Sequence, residues 1–398
     1  MDPRDLAPDE VLLDHILPDQ PHVSTSVILQ DWDKCVFKAS FPDSSKSRCP
    51  CIVRLETVRG DEEATRFALV STMQQIASLA IDNLVPNTFQ TGVANNAQGK
   101  RLQFSVIEFI EGDTLEEAWE QMSSESQRSV VTALVRALGK LHAIRISDDR
   151  VQTLLRQVLR DSNRESFQEA VMGGPSTGFL KDGPALLGAI TKRLELKKPF
   201  CTISPTTPAG DVVIQSQYKD LGSVKLEKTI MEQWGHESVF CHNDLTPRNI
   251  IVKPCNSPDG RPDYQLSAII DWELAGFYPA SYELSLQDTY LSGGNRLISF
   301  YSLLKRQMKD LVPASSSQVS LLQAMEILFE SRQRRLAEGS NIPAIIRQRF
   351  IQKLQLRRDE DPYIGWVPKN QGEAQPVLSR ADAQRLEDDV IVEVIEKR

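Results

Sequence analysis

The sequence lacks several features that would assign it to common classes of protein. No apolar run approaches the roughly 18–20 residues that a membrane-spanning helix needs. The N-terminal MDPRDLAPDE has neither the basic stretch nor the apolar stretch of a secretory signal. Basic residues do not predominate either, because 46 Lys and Arg against 54 Asp and Glu give a net charge of −8, whereas nucleic-acid-binding proteins normally present a basic face. These absences predict a cytoplasmic protein that binds neither membranes nor nucleic acid.

Closely spaced cysteines are also scarce. Only the Cys-Pro-Cys sequence at 49–51 brings two of the six cysteines together, and the chain has no second cluster or His-x₃₋₅-His that could complete a zinc site. We therefore expect reduced thiols with mainly structural roles. With 40% hydrophobic and 25% charged residues the composition is that of a globular protein, and 398 residues suffice for two packed units.

Short β-like segments occupy the first hundred or so residues. Apolar and β-branched residues that alternate or cluster between polar breaks predict strands at 26–30, 34–41, 51–56, 87–93 and 101–110. Apolar residues at helical spacing predict one helix from residue 61 to about residue 80. After Thr114 helices prevail, and the two units meet at a connector near Glu108–Gly112. This order predicts an α+β protein with a cleft between its units, where ligands often bind.

Three polar residues lie at fixed offsets between two apolar runs in FCHNDLTPRNIIV, residues 240–252. His242, Asp244 and Asn249 fit the pattern His-x-Asp-Leu-x-x-x-Asn, and the later run AIID ends at Asp271, with Glu273 two residues on. Phosphoryl transfer from ATP needs a carboxylate that orients and deprotonates the attacking hydroxyl, and oxygen ligands that hold Mg²⁺ on the phosphates. Asp244 is placed to be the base, with Asn249 and Asp271 as metal ligands.

These segments resemble the aminoglycoside phosphotransferase (choline kinase-like) family, which has a protein-kinase-like fold. FCHNDLTPRNIIV is similar to the family's catalytic loop, AIIDWELAGFYPASYEL to its metal-binding segment and FIEGDTLEEAWEQM to the hinge between its lobes. The likeness covers roughly residues 25–345 and is strongest from about 239 to 284. It implies ATP- and Mg²⁺-dependent transfer of phosphate to a hydroxyl of a small molecule.

The resemblance also implies a bilobal fold, in which a small antiparallel sheet lobe precedes a larger, mainly helical lobe. The boundaries are an N-terminal extension (1–24), a nucleotide-binding N-lobe (25–110), a C-lobe (111–345) with a helical substrate-binding insertion (147–237), and a C-terminal tail (346–398). We expect the last forty or so residues to be loosely attached. By the same resemblance Arg54 would contact the phosphates, the backbone of Glu108, Phe109 and Ile110 would contact adenine, and His242 would brace the catalytic loop.

Two departures from the family pattern concern the phosphate site. Arg54 stands where family members more often have lysine, and no glycine lies between Pro18 and Phe41, so a glycine-rich loop over the phosphates is missing. An arginine in an apolar strand needs an anionic partner if it is buried. That partner would be a phosphate or the carboxylate of Glu62 or Glu63 in the predicted helix; otherwise the arginine lies on an exposed strand face.

Several interpretations remain open from the sequence. Glu273 is either a second metal ligand or a solvated acid. The alternative function is a catalytically degenerate kinase-fold protein that binds nucleotide or acts as a scaffold; the two departures favour it, and the intact Asp244, Asn249 and Asp271 disfavour it. A protein kinase fits less well, because the chain has no Asp-Phe-Gly or Ala-Pro-Glu and has Asn243 in place of the arginine of His-Arg-Asp. An acidic pocket would suit a cationic acceptor.

Overall fold

An antiparallel sheet forms the first part of the computed structural model. The described residues are 6–18, 23–41, 49–58, 66–159, 167, 169–206, 210–256, 262–369 and 378–396. The sheet has the strand order β1-β2-β3-β5-β4, with strands β1 (Ser24–Gln30), β2 (Lys34–Ser40), β3 (Cys51–Thr57), β4 (Thr88–Asn95) and β5 (Arg101–Glu108). Helix α1 (Glu10–Ile16) precedes the sheet, and α2 (Arg66–Ile81) follows β3. The five predicted strands and the helix are therefore confirmed, although residues 59–65 lie outside the described ranges.

Successive side chains of β3 alternate between the two faces of the sheet, and this alternation determines the face on which its polar residues lie. Cys51, Val53 and Leu55 are buried in the core of the small lobe. Because successive side chains of a strand point to opposite faces, Arg54 and Glu56 share the other face, where burial is only partial. Arg54 reaches the second lobe from this face.

The second lobe is larger and mainly helical. Its helices are α3 (Leu115–Ala118), α4 (Ser124–Leu141), α5 (Asp149–Val158), α6 (Gly183–Leu194), α7 (Lys228–His236), α8 (Ala280–Tyr290), α9 (Ile298–Met308), α10 (Ser316–Glu338), α11 (Ile342–Lys353) and α12 (Arg380–Glu396). Its strands are short: β6 (Asp113–Thr114), β7 (Met172–Gly174), β8 (Gly178–Leu180), β9 (Cys201–Thr206), β10 (Asp211–Ser216), β11 (Ser223–Leu226), β12 (Ser238–Cys241), β13 (Ile250–Asn256), β14 (Pro262–Ile269), β15 (Gly276–Pro279), β16 (Leu356–Arg358) and β17 (Trp366–Pro368). The predicted α+β fold, a sheet lobe followed by a mainly helical lobe, is confirmed.

The connector between the lobes is tied to the strand that follows the loop with His242, Asp244 and Asn249. Strand β6 pairs with β13, with Asp113 opposite Val252. Gly112 has φ +145°, and a Cβ at this position would lie 2.5 Å from the carbonyl oxygen of Val252. Only glycine permits both this backbone conformation and this close approach, so the connector is held directly beside the motif.

The insertion predicted to be helical is in fact mixed. Besides α5, α6 and α7 it contains a three-stranded antiparallel sheet in the order β11-β10-β9. Three β-branched residues in β10, Val212, Val213 and Ile214, favour a strand over a helix, and polar turn residues separate the strands. Only helices were predicted for this segment from the sequence, so these strands were missed.

The C-terminal segment is packed, contrary to the expectation of loose attachment. Arg358 forms ion pairs with Asp288 at 3.0 Å and with Glu326 at 2.9 Å, and the Trp366 backbone N–H donates to the Tyr301 hydroxyl at 2.7 Å. Asp288 is buried, and a buried carboxylate requires cationic partners. The tail supplies one of them and so completes the core of the helical lobe.

Two further expectations concern membranes and cysteines. None of the described helices combines the length and apolar content that a membrane span requires. All six cysteines are free thiols, which agrees with the expected absence of disulfides.

Candidate active site

The motif residues lie in a loop between two pairs of antiparallel strands. Strand β12 leads into the loop and pairs with β15, and β13 leads out of it and pairs with β14. The Ile270 N–H donates to the carbonyl oxygen of Asn249 at 2.9 Å, so the end of β14 adjoins the end of the loop. The structure thereby brings Asp244, Asn249 and Asp271 to one place.

His242 is fully buried and uses both ring nitrogens. Its Nδ1 accepts the backbone N–H of Asp244 at 3.1 Å, and its Nε2 donates to the carbonyl oxygen of Ile270 at 2.9 Å. These partners place the ring hydrogen on Nε2, and the ring packs edge-on against Trp272 with centroids 4.6 Å apart. These contacts agree with the prediction that His242 braces the loop.

Glu283, on α8, holds the backbone at the start of the loop. Its Oε1 accepts the N–H groups of His242 and Asn243 at 2.7 and 2.8 Å, and its Oε2 lies 3.2 Å from Nε2 of His142. Burial opposes ionisation of Glu283, yet the hydrogen bonds from His142 and Asn243 keep its pKa below the usual value. The buried, ionised carboxylate of Glu283 therefore fixes the backbone at the start of the loop.

Asn243 adopts a left-handed backbone conformation, with φ 64°. This conformation is uncommon outside glycine, and asparagine tolerates it better than most residues. Its side-chain amide donates to the carbonyl oxygen of Leu274 at 3.0 Å, and its own carbonyl oxygen accepts the hydroxyl hydrogen of Tyr290. These bonds hold the turn that presents Asp244.

Asn249 fixes the Asp244 side chain. One amide hydrogen of Asn249 reaches the Asp244 carbonyl oxygen at 2.9 Å and the other reaches Asp244 Oδ2 at 2.8 Å. The amide oxygen is left for another partner. Among the described residues, Asp244 Oδ1 is buried and has no hydrogen-bond partner.

Burial raises the pKa of the Asp244 carboxyl above its ordinary value. Nearby Arg248 acts in the opposite direction, Asp271 adds to the rise, and the amide of Asn249 lowers the pKa again. Arg248 is the cation beside this carboxylate: its side chain is 58% exposed, and its Nη2 lies 3.8 Å from Asp244 Oδ2.

Arg54 joins the small lobe to the residues that follow β14. Its Nη2 contacts Glu273 Oε2 at 2.5 Å, its Nη1 lies 3.4 Å from Asp271 Oδ1, and its Nε donates to Glu56 Oε1 at 2.8 Å. The expected anionic partners of Arg54 are therefore carboxylates on β3 and after β14. Glu62 and Glu63, which were predicted as partners, lie outside the described residues.

Glu273 is an ion-paired acid in this structure. Its Oε2 also accepts Arg66 Nη2 at 2.9 Å. Burial opposes its ionisation, but Arg54 and Arg66 keep the pKa of Glu273 below its ordinary value. The interpretation as a solvated acid is wrong, because two guanidinium groups surround it.

The connector residues Glu108, Phe109 and Ile110 differ in whether their backbone groups are already hydrogen-bonded. The Glu108 N–H donates to the carbonyl oxygen of Asn87 at 2.8 Å, and the Phe109 N–H donates to that of Pro50 at 3.3 Å. Within the described part of the chain, the backbone of Ile110 has no hydrogen-bond partner. Of the three predicted adenine contacts, Glu108 and Phe109 thus have their N–H groups engaged, whereas the N–H of Ile110 has no described partner.

Two candidate functional residues, Glu283 and Arg66, were not predicted from the sequence. Glu283 stands in the quoted segment AIIDWELAGFYPASYEL as an acid on a helix whose neighbours are mostly buried, which was the available signal. Arg66 gave no signal, because its partners Glu56 and Glu273 lie on other elements.

Comparisons with known proteins agree with the family predicted from the motifs. The model of the phosphotransferase enzyme family matches residues 45–287, more than half of the chain. Among solved structures, the GDP and kanamycin complex of APH(2")-IIia has 12% identity and a TM-score of 0.41, covering 86% of this chain and 93% of that one. The streptomycin–ATP ternary complex of APH(2")-IIa has 12% identity and a TM-score of 0.40, covering 86% and 96%. An aminoglycoside phosphotransferase from Alicyclobacillus acidocaldarius has 12% identity and a TM-score of 0.32, covering 91% and 90%. A comparison with curated proteins gave no significant match.

Proposed function

The chain belongs to the phosphotransferase enzyme family, and we propose that it transfers the terminal phosphate of ATP to a hydroxyl of a small molecule with the help of Mg²⁺. One observation carries the proposal: a partly unpartnered buried carboxylate, an oriented amide and a second carboxylate meet at one loop. Phosphoryl transfer requires this combination of a base and hard oxygen ligands.

Asp244 would act as the base. Its Oδ2 is held by the Asn249 amide, while its Oδ1 has no described partner and is available to the acceptor hydroxyl. A carboxylate with a raised pKa is a stronger base than an ordinary one, provided that it stays ionised at the working pH.

Asn249 and Asp271 would hold the metal. These two ligands fit Mg²⁺, which prefers a few hard oxygen ligands and keeps several of its waters. Asn249 directs its amide oxygen away from Asp244, and Asp271 supplies a carboxylate at the end of the neighbouring strand. Bound Mg²⁺ supplies charge neutralisation and orientation of the phosphates. Asp271 has φ 63°, a left-handed conformation whose strain is common at functional sites.

The nucleotide would lie between the lobes. The free backbone groups of Ile110, next to Glu108 and Phe109, would meet adenine, and Arg54 would contact the phosphates. A guanidinium binds phosphate bidentately and so can replace the lysine usual in the family, with different geometry. In this conformation Arg54 contacts the carboxylates of Glu56 and Glu273, and a polyphosphate, whose oxygens have the same acceptor chemistry, would share the guanidinium group with them.

The acceptor would approach Asp244 from the side of Arg248. The sequence left open a cationic acceptor, which an acidic pocket would suit; beside Asp244 the exposed Arg248 adds positive charge, and Asp271 adds negative charge. The insertion at 147–237 would supply further acceptor contacts. A cytoplasmic location would agree with six free thiols and with the supply of ATP.

A second candidate is a nucleotide-binding or scaffolding protein without catalysis. The contact of Arg54 with Asp271 favours it, since a guanidinium at the metal ligand opposes a second cation there. In that case nucleotide binding would not depend on Mg²⁺.

The proposed function is tested with γ-labelled ATP and a panel of hydroxyl compounds that includes neutral, cationic and anionic members. The wild type should label at least one compound, and Asp271→Asn should label none at the same Mg²⁺ concentration. Equal labelling by both proteins would contradict the metal assignment.

A further inference from the structure

Arg66 and Arg54 belong to one ring of ion pairs that joins the small lobe to Glu273 of the larger lobe. We propose that Arg66 is a second phosphate-binding residue that acts beside Arg54 and replaces contacts of the missing glycine-rich loop. The inference rests on the proposed function, since it concerns how ATP would be held.

The ring is closed by two carboxylates that each bridge both arginines. Glu56 Oε1 lies 2.5 Å from Arg54 Nη2, and Glu56 Oε2 lies 3.2 Å from Arg66 Nη1. Glu273 Oε2 lies 2.5 Å from Arg54 Nη2 and 2.9 Å from Arg66 Nη2. The two guanidinium groups are thus held side by side, with Asp271 at the edge of the ring.

The turn between β1 and β2, where a glycine-rich loop is missing, is not suited to bind phosphate. The turn between β1 and β2 contains Asp31 and Asp33 and no glycine, and its carboxylates would repel a polyphosphate. The Trp32 N–H donates to Asp31 Oδ1 at 2.9 Å, and the Asp31 N–H donates to the Lys34 carbonyl oxygen at 2.8 Å. The N–H groups of Asp31 and Trp32 are therefore occupied within the turn, unlike those of a loop that cradles phosphate.

This turn nevertheless lies beside the ring. The Thr57 N–H donates to the Asp33 carbonyl oxygen at 2.9 Å, and Lys34 pairs with Glu56 across the sheet. The phosphates that would pass under such a turn therefore come next to the arginines. Cationic side chains at that point would substitute for backbone N–H groups.

Arg66 is better exposed than Arg54 for this role. Its side chain is 39% exposed, against 16% for Arg54. Helix α2 contains no acidic residue from Arg66 to Ile81, so within its described length it contributes a cation to the ring and no carboxylate partner for Arg54. Phosphate oxygens accept the same forked hydrogen bonds as carboxylates, so a polyphosphate would share the two guanidinium groups with Glu56 and Glu273.

The test measures ligand binding by calorimetry to the full-length wild type and to three variants. The ligands are adenosine, ADP and ATP, and ADP and ATP are used with Mg²⁺. Arg66→Gln removes the charge, Arg66→Lys keeps it without the fork, and Arg128→Gln changes an exposed arginine on α4 as the matched control. We expect Arg66→Gln to weaken ATP binding about tenfold or more, ADP less, and adenosine not at all. Arg66→Lys should fall between, and Arg128→Gln should match the wild type.

Three results would overturn the inference. If Arg66→Gln changes ATP affinity less than twofold, Arg66 does not touch the phosphates. If it weakens adenosine and ATP by the same factor, Arg66 acts only by holding the lobes together. If the wild type binds none of the three compounds, the proposed function fails together with the inference. This result is distinguishable from the first two, in which the wild type still binds ATP.

Discussion

Asn249 donates both of its amide hydrogens to Asp244, one to the backbone carbonyl and one to the carboxylate. This arrangement orients two residues at once. It turns the Asn249 oxygen away from Asp244, where it would serve as the proposed metal ligand, and leaves Asp244 Oδ1 without a described partner. The proposed base and one proposed metal ligand are therefore positioned by a single side chain.

Replacing Asp244 separates activity from stability. Asp244→Asn should lower phosphotransfer by about 10²–10⁴-fold, since it removes the general base. Because burial raises the pKa of Asp244, the folded state disfavours its charge, so the neutral variant should unfold at the same temperature as the wild type or higher. Labelled-ATP turnover and thermal unfolding measure the two effects. Asp220→Asn, at an exposed ion pair, is the control, and it should retain activity.

The pH profile should report the Asp244 carboxyl. Its folded-state pKa lies above the ordinary value of 3.8, and only the ionised form is a base, so kcat/KM should fall as pH decreases through that raised pKa. Arg248 lowers the pKa of Asp244, and Arg248→Gln should therefore move the acid limb to higher pH. A limb that stays in place or moves to lower pH in this variant would exclude Asp244 as its source.

Glu283 should be required for the shape of the loop. Glu283→Ala leaves the N–H groups of His242 and Asn243 buried without their acceptor, which should lower the free energy of unfolding by about 2–5 kcal/mol. Glu283→Gln keeps one acceptor oxygen and should lose less. Urea unfolding above pH 5 measures both. Equal stability of all three proteins would contradict the role of Glu283.

The contribution of Glu283 should also depend on pH. Its folded-state pKa is below the usual value of 4.5, so the stabilisation is present above that value and is lost as pH falls through the folded-state pKa. The difference in stability between the wild type and Glu283→Gln should consequently shrink in acid.

The tail should stabilise the helical lobe. Arg358→Met leaves Asp288 with one cation fewer, although Lys305 remains 2.8 Å away. Loss of one partner of a buried ion pair costs about 3–5 kcal/mol, and we expect a value near the lower end because Lys305 remains. Arg357→Met, one residue earlier, is the control, and urea unfolding is the measurement. Unchanged stability of Arg358→Met would support the original expectation of a loosely attached tail.

Local sequence pattern was enough to locate the catalytic loop and the small sheet. The offsets among His242, Asp244 and Asn249 lie within one loop, and the strands of the sheet lobe follow from alternation over a few residues. Such features need no knowledge of distant contacts.

The partners of Arg54 could not be obtained in that way. Glu273 lies 219 residues from Arg54 in the chain, and only the packing of the two lobes brings them together. Glu56, two residues from Arg54, is nearer in the chain, but the resemblance to kinases points to a partner on the following helix. The tail was misjudged for a related reason: the buried charge of Asp288, which Arg358 compensates, cannot be recognised before the core is assembled.

The most direct test of the central claim is the thermal shift produced by ATP with and without Mg²⁺, in the wild type and in Asp271→Asn. Ligand at about 100 times its dissociation constant adds about 2.7 kcal/mol of stability, which corresponds to a shift of several degrees. We predict a clearly larger shift with Mg²⁺ than without it for the wild type, and loss of that difference in Asp271→Asn. A wild-type shift that is the same with and without Mg²⁺ would contradict the metal-dependent phosphotransferase and favour a nucleotide-binding protein without catalysis.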